Sequence, residues 1–122
     1  MSMGLAVLGE HVRERRQARQ NEDRARFTLR QVAGRIGVEP SYLSKLERGW
    51  QAPLSEEKLV ALARELDEDP DVLLAMAGKV SSELLAIIKR RPRLFAQLIR
   101  ELDKYPDHAL LTLVREVRDG DW

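Results

Sequence analysis

Residues Thr28 to Gly49 read TLRQVAGRIGVEPSYLSKLERG, two short helical patterns joined by a turn. Thr28 is a good N-cap, and Leu29, Val32, Ala33 and Ile36 recur on one helix face until Gly37 stops the run. Gly37 permits a left-handed turn and Val38 supplies an apolar plug for the corner. Glu39-Pro40 then restarts the chain, because proline is tolerated in the first turn of a helix and poorly in its interior. From Ser41 the second pattern sends Leu43 and Leu46 inward and offers Ser41, Tyr42, Ser44 and Lys45 outward, until Gly49 ends it. The spacing predicts two helices of about two turns each, crossing closely over the small Ala33.

Working outward, Leu5 to Gln20 forms a helical pattern with Leu8, Val12 and Ala18 on the face of Leu5 and arginines on the others. It is expected to pack on the central motif. Asn21 to Phe27 (NEDRARF) is polar, so that either the first helix runs longer or a loop bulges out; Phe27 is read as a hydrophobic staple ahead of the Thr28 cap. Beyond the motif, Ser55 caps a helix carrying Leu59, Leu62, Ala63 and Leu66. Asp69-Pro70 opens a shorter one with Val72, Leu73, Leu74 and Met76, ending at Gly78. The fold expected is all-α, with a five-helix domain over residues 1–78 and a helical extension over 79–122.

The extension holds three more patterns. Ser81 or Ser82 caps a helix with Leu84, Leu85, Ile87 and Ile88; Pro92 breaks it and starts another with Leu94, Phe95, Leu98, Ile99 and Leu102. Pro106-Asp107 opens the last, with Leu110, Leu111, Leu113, Val114 and Val117. Three short helices have too little core of their own for so many aliphatic side chains, and the surplus points to a partner surface, the alternative being that the tail folds back on the first domain. The dimerisation residues expected are Leu84, Leu85, Ile88, Leu94, Phe95, Leu98, Leu102, Leu110, Leu113, Val114 and Val117. Lys89, Arg90, Arg91 and Arg93 cluster around the Pro92 break and are read as complements to a helix C-terminal dipole.

The central run resembles the helix-turn-helix of the phage repressor and Cro family of transcription regulators, also called xenobiotic-response-element-type regulators. The matching positions are Thr28, Val32, Ala33, Gly37, Val38, Leu43, Ser44, Leu46, Glu47, Gly49 and Pro53, and the likeness extends over residues 8–77. The resemblance implies an ion pair between Arg16 and Glu47 and base reading by Pro40, Ser41, Tyr42, Ser44 and Lys45. It also implies that the loop Arg48, Gly49, Trp50 and Gln51 lies along the sugar-phosphate backbone, with Pro53 orienting the exit. Trp50 either stacks on a sugar or packs over the second helix, and packing is the preferred reading. Leu29 stands where many relatives carry a phosphate-clamping glutamine, which leaves that task to the helix N-terminus at Thr28 and to Arg30 and Gln31. No Arg, Asn or Gln stands among the base-reading positions, so phosphate and shape readout should outweigh bidentate base contacts.

Composition narrows the remaining classes. The 122 residues carry a formal charge of only +1, yet Arg13, Arg15, Arg16, Arg19, Arg24, Arg26, Arg30 and Arg35 crowd one segment. Asp67, Glu68, Asp69 and Asp71 form an acidic run that reads as a solvated link. Cysteine is absent, which removes disulfides and thiolate metal sites, and His11 and His108 stand at no ligand spacing. No Gly-rich phosphate loop or catalytic constellation is found, so neither enzyme activity, a cofactor nor a metal is expected. No apolar run spans a bilayer and MSMGLAVLG lacks a cleavage signal, so a cytosolic protein is expected. The partners expected are double-stranded DNA and a second copy of the chain, the protein acting as a dimeric repressor. The alternative is an antitoxin or adaptor whose C-terminal helices bind another protein, with DNA binding for autoregulation.

Overall fold

A computed structural model describes residues 3–50 and 54–122, in which eight helices and no strand occur. Contacts divide the chain into two compact units, Met1–Ser81 and Ser82–Trp122. The first holds α1 (Met3–Glu22), α2 (Leu29–Ile36), α3 (Pro40–Glu47), α4 (Glu56–Glu65) and α5 (Pro70–Met76). Pro53 and Gln51, for which roles in the exit loop were expected, lie outside the described residues.

The caps fall on the residue types that the sequence offers. Thr28 Oγ1 accepts the Gln31 N–H at 3.2 Å, Ser55 Oγ accepts from Lys58 N at 3.3 Å, and an Asp69 carboxylate oxygen accepts from Asp71 N at 2.9 Å. At the other ends, α2 closes with Gly37 at φ 78°, the Val38 N–H reaching back to the Ala33 carbonyl at 2.9 Å. Asp67 makes the same left-handed closure after α4 at φ 54°, with Glu68 N donating to Ala63 O at 2.8 Å. It is the one described non-glycine residue in that region, where a Cβ is crowded.

Leu8 and Val12 of α1, Val32, Ala33 and Ile36 of α2, and Leu43 and Leu46 of α3 meet Leu59, Leu62, Ala63, Leu66, Leu73 and Leu74 in one aliphatic core. Phe27 and Leu54 close its edges. Ala18 is not on this face; it is exposed, and the buried residue one turn past Val12 is Arg16. Gly9 sits where α1 crosses α3: a Cβ there would fall 2.6 Å from the Glu47 carbonyl oxygen and closer still to that of Leu46. Between α1 and α2 both expected alternatives occur together, since α1 runs on to Glu22 and residues 24–27 then form a turn.

The second unit holds α6 (Ser82–Arg90), α7 (Pro92–Leu102) and α8 (Asp107–Asp119). Pro92 occupies the first turn of α7, as its missing N–H allows. α6 packs on α7. No residue of the three helices is buried. No helix is long and apolar enough to cross a membrane among the described residues.

Candidate nucleic-acid interface

The second helix of the motif is held by an ion pair reaching across from α1. Arg16 Nε donates to one Glu47 carboxylate oxygen at 2.7 Å and its Nη2 donates to the other at 3.0 Å, with both side chains more than nine-tenths buried. The third nitrogen of the fork, Nη1, donates to the Phe27 carbonyl at 3.2 Å and meets Gln20 Oε1 at 3.4 Å. One guanidinium thus ties the end of α3 to the residue that precedes the Thr28 cap of α2. A planar five-donor fork suits that three-way junction; a lysine would offer a point charge.

Anchored in this way, α3 turns Ser41 and Lys45 to solvent, while Pro40, Tyr42 and Ser44 are half-buried at its rim. Tyr42 also packs against the core, so that it serves as wall as well as surface. Arg30 and Gln31 are exposed in the first turn of α2, and Thr28 is half-buried. Arg48 is exposed at the end of α3. Trp50 corrects the packing expectation: it is 65% exposed, with the Arg48 guanidinium 5.1 Å from its ring. The cause is the turn before it, where Gly49 at φ 73° lets the Trp50 N–H return to the Lys45 carbonyl at 2.9 Å and sends the indole outward.

The crowded arginines, apart from Arg26 over the Phe27 ring, separate into two sets. Arg15, Arg16, Arg19 and Arg35 hold the domain together: Arg35 Nε meets Glu65 at 2.7 Å while its Nη2 donates to the Arg26 carbonyl at 2.7 Å, and Arg19 meets Glu22 at 3.1 Å. The Phe27 ring lies under three guanidiniums, those of Arg19, Arg35 and Arg26, at 4.6, 5.3 and 5.9 Å. Arg13, Arg24 and Arg30 meet no carboxylate among the described residues, and together with Lys45 they are cations open to an external anion.

The acidic run is not merely a solvated link. Glu68 Oε2 lies 2.7 Å from His11 Nε2 and 3.9 Å from Arg15 Nε, and its Oε1 accepts the Asp69 N–H at 2.8 Å. Arg15 also donates to the carbonyls of Leu66, at 3.1 Å, and Asp67. The Asp69 N–H and then the His11 contact hold the Glu68 carboxyl below the ordinary carboxylate range, with the Arg15 charge adding to them against the opposing effect of burial. This latch joins α1 to the α4–α5 turn, and its partners stand 57 residues apart with no periodic signal to join them. No group of His, Cys, Asp and Glu fit to hold a metal ion occurs among the described residues.

This five-helix arrangement, with α2 and α3 braced at a glycine corner, is a helix-turn-helix. Residues 7–76, more than half of the chain, match the family model of a helix-turn-helix domain, and the chain belongs to that DNA-binding family. Comparisons with curated proteins and with solved structures give no match.

Proposed function

We propose that this protein is a cytoplasmic, sequence-specific transcription regulator of the phage repressor and Cro type, a dimer that represses by occupying a promoter. The observation that carries the reading is the outer face of α3, where Ser41 and Lys45 stand free on a helix fixed from behind by the buried Arg16–Glu47 pair. Entering the major groove, Lys45 would meet guanine acceptors, while Ser41, Tyr42, Ser44 and Pro40 make shorter contacts to base edges and phosphates. Thr28, Arg30 and Gln31 flank the groove from the start of α2, and Arg48 with Trp50 lies along the backbone beyond α3.

Helix-turn-helix proteins usually read paired half-sites, so two copies joined through α6–α8 would set two α3 helices about 34 Å apart. Leu84, Leu85, Ile88, Leu94, Phe95, Leu98, Leu102, Leu110, Leu113, Val114 and Val117 supply that join, and the want of any buried residue in α6–α8 supports it.

The experiment is fluorescence anisotropy of the protein on the DNA upstream of its own gene and on a scrambled duplex of equal length, titrated with salt. Tight binding to the first alone, with a steep salt slope, is the expected outcome. Absence of binding at low salt would refute the reading and turn attention to the adaptor alternative, in which α6–α8 hold another protein. Lys45→Ala is expected to cost about 1 to 3 kcal/mol and relax specificity at one base pair. Equal weakening on every sequence would make Lys45 a phosphate contact instead.

A further inference from the structure

The second unit presents an open apolar cleft and, on α8, a largely exposed apolar ridge. Between α6 and α7, Ile87, Arg91, Leu94, Phe95 and Leu98 line an apolar cleft of about 150 Å³. Leu94 and Leu98 on its rim are 60% and 50% exposed. On α8, Leu110, Leu113, Val114 and Val117 recur at i, i+3, i+4 and i+7, one continuous helix face. Val114 and Val117 are more than half exposed. Within the unit, α6 and α7 are the pair in substantial contact. The turn Asp103–Tyr105, fixed by Lys104 N to Glu101 O and Tyr105 N to Leu102 O at 3.1 Å each, joins α7 to α8.

Charge indicates what covers these faces. From Ser82 to Arg100 the chain carries five cations, Lys89, Arg90, Arg91, Arg93 and Arg100, against Glu83 alone, a net +4. From Glu101 to Trp122 it carries six carboxylate side chains against Lys104, Arg115 and Arg118, a net −3. The basic half holds the cleft and the acidic half holds the ridge. Two copies set antiparallel therefore match twice over, basic cleft to acidic ridge at each end, which is the self-complementarity an isologous pair requires.

Building on the dimeric reading above, we propose that α8 of each chain seats in the α6–α7 cleft of a second copy. The extension is then a helix-exchanged homodimer whose folding and assembly are one event, and neither copy has a finished C-terminal core alone.

The chain contains no cysteine, so introduced ones report without background. Leu98→Cys, in the cleft, and Val114→Cys, on the ridge, are placed singly in two preparations of the full-length protein and together in a third. Each is treated with a short bismaleimide. The mixed single variants are expected to give a covalent heterodimer, and the double variant covalent dimer as its main product. An internally bridged monomer, a monomeric mass at micromolar concentration by light scattering, or no bridge at all would overturn the proposal.

Charge reversal provides a second test that does not depend on the cysteine variants. Arg91→Glu should raise the dimer dissociation constant roughly tenfold at low salt, and adding Glu116→Arg to the same chain should restore it. An unchanged constant in the first variant would overturn the charge matching. A cross-exchanged dimer that ignores upstream DNA would sink the regulator reading and leave the exchange intact; an internally bridged chain that binds the DNA would do the reverse.

Discussion

Removing the Arg16 guanidinium should cost more than removing the carboxylate it faces. In Arg16→Met the Glu47 carboxylate keeps its buried position and loses both bonds, at 2.7 and 3.0 Å, and the Phe27 carbonyl loses its donor at 3.2 Å. Breaking one side of a buried pair costs about 3 to 5 kcal/mol. That is a large share of the 5 to 15 kcal/mol, roughly, that holds a domain folded. In Glu47→Leu the guanidinium still has the Phe27 carbonyl and Gln20 to satisfy part of its fork, so the loss should be nearer about 2 to 3 kcal/mol. The double variant strands no charge and should recover to within about 1 kcal/mol of the parent, the shortfall being the bond to Phe27. The assay is urea unfolding followed by far-ultraviolet circular dichroism at one fixed protein concentration. Losses that are equal in the single variants and add in the double would refute the reasoning, because they would mean that neither charge depends on the other.

Gly9→Ala should destabilise by at least about 2 kcal/mol, since the new methyl meets backbone of α3 that no rotamer can clear. Gly34→Ala, with open space around the same addition, should stabilise by about 0.5 to 1 kcal/mol; a raised melting temperature for Gly9→Ala would sink the first claim and a lowered one for Gly34→Ala the second. Asp67→Gly should gain about 0.5 to 1 kcal/mol by relieving the left-handed backbone at φ 54°, and an unchanged urea midpoint would show no strain there. Because the Glu68 carboxyl titrates below its unfolded value, its contribution is full above about pH 5 and is lost as pH falls through the lowered value. The stability difference between the parent and Glu68→Gln should therefore be flat near neutrality and vanish in acid; a gap that widens in acid would contradict the assignment.

The helices were legible wherever a local rule places them. Thr28, Ser55 and Asp69 cap, Pro40, Pro70 and Pro92 open, and Gly37, Gly49 and Gly78 close, each within a few residues of the element it bounds. Ala18 misled because six residues past Val12 it stands off the i, i+4 stripe of Leu8, Val12 and Arg16, and the inward place went to an arginine that hydropathy counts against. The Glu68–His11 and Arg35–Glu65 contacts were not legible: they join elements far apart in the chain, and the acids that make them look like any solvated charge. Trp50 went wrong for a related reason. Its size argues for burial, whereas its direction is set by the backbone of the glycine before it.

Both tryptophans lie outside the packed interior, Trp50 at 65% and Trp122 at 92% exposure, and Phe27 is the one aromatic among the described buried hydrophobic residues. Indole emission will thus change little when the core melts, and near-ultraviolet dichroism will be faint even in the native protein. What intrinsic fluorescence does offer is a reporter built into the candidate interface. With Trp122→Phe removing the distal fluorophore, a change in Trp50 emission on binding becomes a label-free titration signal, the indole being 65% exposed in the folded chain. Occupancy and stability can then be followed separately in one cuvette.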